Sequence, residues 1–122
     1  MNLWLAVFFG GGIGSVLRFA ISRLVKHWTP DALFPWATLA SNLLATTLLA
    51  LLILRWEVHQ PGREHWQALF AIGLCGGFST MSTFSLENYQ LMRDGFLAVA
   101  VANVLITVTA GVALFHLFAR ST

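Results

Sequence analysis

Charge is scarce in this chain. Of its 122 residues only 10% are Asp, Glu, Lys or Arg, against about 25% in an ordinary soluble domain. A protein of this size has much surface for its volume, and so few charges cannot cover that surface in water. Cysteine is nearly absent as well. A lone Cys75 excludes an intramolecular disulfide framework and reads as a small apolar packing residue rather than a redox or metal group. His59 and His65 share a loop with no cysteine or carboxylate at a ligand spacing, so they read as solvated. The run "GGGIGS" near the start lacks the third glycine of a dinucleotide fingerprint and follows no strand. No nucleophile, base and orienter can be assembled into a catalytic set. Neither an enzyme nor a nucleic-acid partner is expected. The first apolar segment also lacks a basic start and a small-residue cleavage site, so it is expected to be a helix of the mature protein rather than a removable signal.

What the chain has instead is long apolar runs. Residues 33–54, 66–86 and 95–119 contain no Asp, Glu, Lys or Arg, and about 20 helical residues cross a bilayer core. A fourth run, 3–24, is interrupted only by Arg18 and Arg23. The expected architecture is an all-α integral membrane protein with four transmembrane helices, at about 3–25, 33–55, 66–91 and 95–119, in a single domain spanning residues 1–122. Trp4, Trp28, Trp36, Trp56, Trp66 and Tyr89 fall at or near the ends of these helices. Amphipathic rings favour that depth, where one edge meets headgroups and the other meets lipid chains. Membrane lipid is therefore an expected partner, and a multi-pass location in the cell (inner) membrane the expected address.

An orientation signal is missing too. Arg55, Arg63 and Arg120 fall on one side of the membrane, and Arg23, Lys26 and Arg93 on the other, with Arg18 inside. Orientation follows lysine and arginine in short loops, and a three-to-three balance leaves nothing to follow. It suggests dual topology, in which the same chain inserts both ways. Four helices are few for enclosing a polar path. An antiparallel homodimer, the two-chain counterpart of an inverted repeat, is the natural assembly.

Polar and small residues recur on helix faces. Gly10, Gly14 and Arg18 repeat every four residues; the glycines permit close helix packing, and a guanidinium this deep is expected to face water or a partner. In the second helix Thr38, Ser41, Asn42, Ala45 and Thr46 form one stripe, and in the fourth Asn103, Thr107 and Gly111 form another. The third helix carries "LCGGFSTMSTFSLE". Paired Gly76 and Gly77 are expected to break it mid-membrane, next to the hydroxyls of Ser79, Thr80, Ser82, Thr83 and Ser85. Backbone groups freed by a break cannot face lipid. Carbonyls converging there would hold a cation; amides and hydroxyls would hold an anion.

These residues resemble a known family. "GLCGGFSTMSTFSLE", with "GGGIGSVLRF" before it and "PWATLASNLLATTLLALL" between, is similar to the Fluc/CrcB fluoride channels across all four helices. The resemblance implies a dual-topology antiparallel homodimer with fluoride paths along the subunit boundary. It implies a structural sodium ion at the dimer interface, held by main-chain carbonyls of Gly76 and Ser79. It implies a fluoride pathway at Asn42, Ser82, Thr83 and Phe84, extended by Thr107, with Arg18 in a vestibule. Met81 stands where the family usually has the first pathway phenylalanine, and a thioether lacks the electropositive ring edge that can face an anion. Phe78 is near but not at the aromatic place. Ala37 and Ala45 occupy positions where glycine is common, and Glu87 closes the motif.

The expected function is then a fluoride-selective channel for passive export of cytoplasmic fluoride, which relieves fluoride toxicity. Uncharged donors can replace the hydration shell of fluoride while letting the ion leave. A small proton-coupled multidrug exporter-like carrier is the competing reading, but it needs a membrane-embedded carboxylate, and the first helix carries Arg18 instead. A structural membrane subunit, with the hydroxyls as helix glue, is the other.

Overall fold

The computed structural model describes residues 2–120, which form helices and connecting turns with no strand among them. The helices are α1 (Leu3–Trp28), α2 (Trp36–Leu54), α3 (residues 64–78), α4 (Met81–Arg93) and α5 (Leu97–Arg120). Four spans among the described residues are long and apolar enough to cross a membrane, with α3 and α4 together making the third, Glu64–Arg93. The shortest, α2, has 19 residues; at 1.5 Å per residue it is about 29 Å long, close to the thickness of a hydrocarbon core.

Local chemistry sets the ends. Asn2 caps α1, its side-chain oxygen accepting from the Trp4 N–H at 2.7 Å. α1 runs to Trp28, beyond the expected end near 25, because Lys26 and His27 suit a helix C-terminus and Thr29 closes it through the Val25 carbonyl. α2 starts at Trp36 rather than 33, immediately after Pro35, whose missing N–H costs a helix start nothing. α4 ends in a reversal at Gly95, where φ is +91° and the Phe96 N–H reaches back to the Leu91 carbonyl at 2.7 Å. Only glycine takes that backbone without strain, so α5 begins at Leu97.

α1 lies along α3, α2 packs on α1 and α5, and α4 packs on α5. The α1–α3 contact is built on glycine. A Cβ added to Gly10 would overlap the Leu69 carbonyl oxygen, one on Gly14 the Leu74 carbonyl, and one on Gly77 the Gly11 carbonyl. Residues 67–74 of α3 form a wider π-helical stretch, which sets Gly73 against Gly10 so closely that an added Cβ would lie 3.0 Å from the Gly10 Cα. Cys75 is buried and packs with Leu52 and Val58.

The break in the third span is real but displaced from its expected place. Gly76 and Gly77 are helical, within Cys75–Phe78. The extended residues are Ser79 (φ −87°, ψ 157°) and Thr80 (φ −149°, ψ 118°). Gly77 is small for contact with α1, not for its own backbone freedom. The chain leaves the helix where serine and threonine side chains can replace the lost backbone bonds. Outside the contacts, the helices present large apolar side chains. Phe8, Ile13, Val16 and Phe19 of α1, and Val101, Leu105, Val108 and Val112 of α5, are exposed in the single chain. Surfaces of this kind meet lipid or another protein.

Candidate functional site at the helix break

Breaking a membrane helix strands backbone polar groups, and four side chains bond the backbone here. Asn42 comes from the middle of α2. Its Oδ1 accepts the Thr80 N–H at 2.8 Å, and its Nδ2 donates to the Thr80 carbonyl at 3.4 Å. One amide thus replaces both helical partners of Thr80. Arg18 of α1 donates through Nε to the Gly77 carbonyl at 3.1 Å. Thr80 caps α4, its Oγ1 accepting the Thr83 N–H at 3.3 Å, and the Ser79 hydroxyl donates back to the Cys75 carbonyl at 3.0 Å. The i, i+4 face of Gly10, Gly14 and Arg18 explains the second contact. Its glycines bring α1 against α3, and the next residue on that face reaches the last turn before the break.

These elements enclose a polar pocket of about 80 Å³, lined by Arg18, Phe19, Ser22, Ala37, Thr38, Ser41, Thr80 and Thr83. It holds one guanidinium and five hydroxyls and no carboxylate. Ser41 is 1% exposed, and its Oγ has no hydrogen-bond partner among the described residues. Buried polar atoms are nearly always paired, so this hydroxyl is available to an occupant. A larger cavity of about 520 Å³ shares Ala37 in its wall and carries Lys26, Glu87 and Asp94. Thr38 of the small pocket lies beside Glu87 of the larger one, and Lys26 is near enough to act on the same carboxylate. One Glu87 oxygen, Oε1, is buried without a partner.

The residues expected from sequence do not all converge. Arg18 and Thr83 line the small pocket and Asn42 holds the break beside it. Met81 is 72% exposed on the first turn of α4, and Ser82 is exposed there too, 3.4 Å from the Thr80 hydroxyl. Phe84 is buried, as is Phe78. Thr107 belongs to a separate cluster on α5, where it bonds Asn103 at 3.3 Å and Asn103 bonds Asn88 of α4 at 2.9 Å. The carbonyls of Gly76 and Ser79 have no hydrogen-bond partner among the described residues, and the Gly76 Cα faces open space. Sequence alone does not single out Thr80, Ser22 and Asn88 as site residues. Thr80 lies in a motif rich in hydroxyls that look alike on paper, Ser22 looks like a helix-end residue, and Asn88 sits in the polar stretch after Glu87, which reads as the end of a span.

The sequence has relatives among known proteins. Residues 5–118 match the family described as CrcB-like protein, Camphor Resistance (CrcB). A protein of Serratia proteamaculans named "Fluoride-specific ion channel FluC" is 45% identical over 102 residues, covering 84% of this chain and 79% of its own. Proteins of the same name from Novosphingobium aromaticivorans and Thermococcus kodakarensis are 39% identical over 104 residues and 36% over 116. They cover 84% and 93% of this chain, and 82% and 90% of their own.

Proposed function

Because the chain belongs to the CrcB-like family, we propose that it is a fluoride channel of the cell membrane that conducts passively and lets cytoplasmic fluoride out. The observation that carries this reading is the small pocket at the helix break, which offers hydroxyl donors and a guanidinium and holds no acid. Fluoride keeps its water tightly, so a path must supply donors in place of the hydration shell while binding weakly enough for release. The orphaned Ser41 hydroxyl can donate without giving up another bond. Asn42 uses one Nδ2 hydrogen on Thr80, and an amide nitrogen has two, so the second remains for the ion. Arg18 has its Nε hydrogen on Gly77 and four further guanidinium hydrogens, and its positive charge draws anions toward the pocket. Glu87 is kept beside the path rather than in it, in the wall of the larger cavity with Lys26. Ser82, Thr83 and Phe84 continue the path along α4, and Thr107 extends it from its own cluster on α5, with Met81 at the open side.

The working unit is an antiparallel homodimer. The balanced charge count supports it, and so do the exposed Met81 and the open face at Gly76, which a second copy can cover. Two helix breaks brought together there present the unpartnered carbonyls of Gly76 and Ser79 from both chains. Neutral carbonyl oxygens are hard donors that suit a monovalent cation such as sodium. When bound, the ion supplies a fixed charge that cancels the facing carbonyl dipoles and ties the two breaks together.

Efflux from liposomes loaded with fluoride tests the function, read by a fluoride electrode with chloride as the control. Rapid, fluoride-selective efflux with no proton gradient is expected. Flux that requires protons and a cationic drug would make the protein a carrier, and no flux would make it a structural subunit. Asn42→Asp should slow efflux at least tenfold, because it sets a carboxylate on the path and turns an oxygen toward the Thr80 carbonyl. Wild-type rates in that variant would remove Asn42 from the path.

A further inference from the structure

α4 carries a buried polar residue on the face that Phe84 occupies. Phe84 and Asn88 are four residues apart, hence one turn apart on the same side of the helix, and both are 8% exposed. Asn88 Oδ1 accepts from Asn103 Nδ2 at 2.9 Å, and Asn103, on α5, is 1% exposed. One turn along α5, the Thr107 hydroxyl donates to Asn103 Oδ1 at 3.3 Å. The order has a direction. With its nitrogen held toward Asn88, Asn103 can show Thr107 only an oxygen, so Thr107 gives its proton to that oxygen.

Other threonines in the spans behave differently. Thr46 and Thr47 of α2 donate to their own backbone, to the carbonyls of Asn42 and Leu43, at 2.7 and 2.8 Å. Those are good hydrogen bonds, and the protons in them are committed. The Thr107 bond is longer than the usual range for O–H···O. Its proton therefore sits in a long, weak hydrogen bond and can leave by rotation about a single bond. A donor left with no acceptor in a dry interior is costly, and a donor with a strong one is not available. Thr107 is held between those extremes.

We infer that Asn88 is a positioning residue for the anion path. It fixes the Asn103 amide so that the Thr107 proton rests on a side-chain oxygen, off the helix backbone, until an anion takes it. This rests on the fluoride-channel reading above. If Asn88 loses its amide, Asn103 is free to turn over and donate to Thr107, and the Thr107 proton then moves to the helix backbone, as in Thr46.

The test is a cycle of fluoride-efflux rates in the reconstituted full-length protein. Wild type is compared with Asn88→Leu, which keeps the volume and removes the amide, with Thr107→Val, and with the double variant. Asn88→Leu and Thr107→Val should each slow fluoride efflux about five- to tenfold. The double variant should be no slower than Asn88→Leu alone, since the hydroxyl is already out of use. A side chain that only filled space would give multiplying effects. Asn88→Gln, which moves the amide by one carbon, is run in the same cycle and replaces Asn88→Leu if that variant yields no folded protein. Wild-type rates in the Asn88 variants, or multiplying effects with Thr107→Val, would overturn the positioning role and leave the fluoride reading intact. A wild-type protein that passes no fluoride would overturn the fluoride reading and this inference with it.

Discussion

At the scale of single residues, neighbouring glycines have opposite roles. Gly77 faces α1, where an added methyl would meet the Gly11 backbone; Gly76 faces away, where an added methyl would meet nothing beyond its own helix within 4 Å. Backbone does not move aside as a flexible side chain does, so Gly77→Ala should cost about 1–3 kcal/mol of stability as overpacking. Gly76 lies in helical backbone, and there alanine is favoured over glycine by about 1 kcal/mol. Gly76→Ala should therefore leave the single chain as stable as wild type, or slightly more so, and weaken the dimer if two copies meet at this face. Denaturant unfolding in detergent reads the first effect and cross-linking yield the second. Equal loss of chain stability in both variants would contradict the distinction. Arg18 is tied to the same contact, since its bond to the Gly77 carbonyl needs the two helices this close.

At the scale of elements, the break between α3 and α4 is stable because another helix completes it. Asn42 serves both polar groups of Thr80. Asn42→Ala strands them, at about 1–3 kcal/mol for each group left unpaired. Thr80→Val keeps those backbone bonds and loses only the cap on α4, about 1 kcal/mol. Thr46 donates to its own helix, so Thr46→Val should stay within about 0.5 kcal/mol of wild type. The expected order of destabilisation is Asn42→Ala, then Thr80→Val, then Thr46→Val, measured by the same unfolding assay. If Thr80→Val proved the most damaging, the cap and not the clamp would hold the break.

At the scale of the whole molecule, the proposed dual topology rests on the balance of Arg55, Arg63 and Arg120 against Arg23, Lys26 and Arg93. Small changes should then tip it. Three lysines added within residues 57–62 should draw that loop to the cytoplasm and give a chain of one orientation, seen as termini labelled from one side only. Efflux from cells making that chain alone should fall at least tenfold. It should return when a second chain with the lysines in residues 29–34 is made alongside it. Full activity from either biased chain alone would rule out the inverted pair.

Composition and local periodicity alone determined the four spans, the tryptophans at their ends, the shared face of Gly10, Gly14 and Arg18, and the membership implied by the motif at residues 74–87. All are set by residues within a few turns of one another, and apolar length and helical spacing are visible along a chain. What the tertiary structure decided is where the third span breaks and what each polar side chain does. Asn42 meets Thr80 across 38 positions and Arg18 meets Gly77 across 59. Gly77, which looked like part of a break, proved to be a contact, because the need for a small residue came from α1 and not from its own backbone. Asn88 looked like the polar end of a helix and is buried, because α5 folds over it with an amide of its own. Hydrogen bonds that close over such separations depend on which helix faces pack together, and that is fixed only when the whole chain is folded.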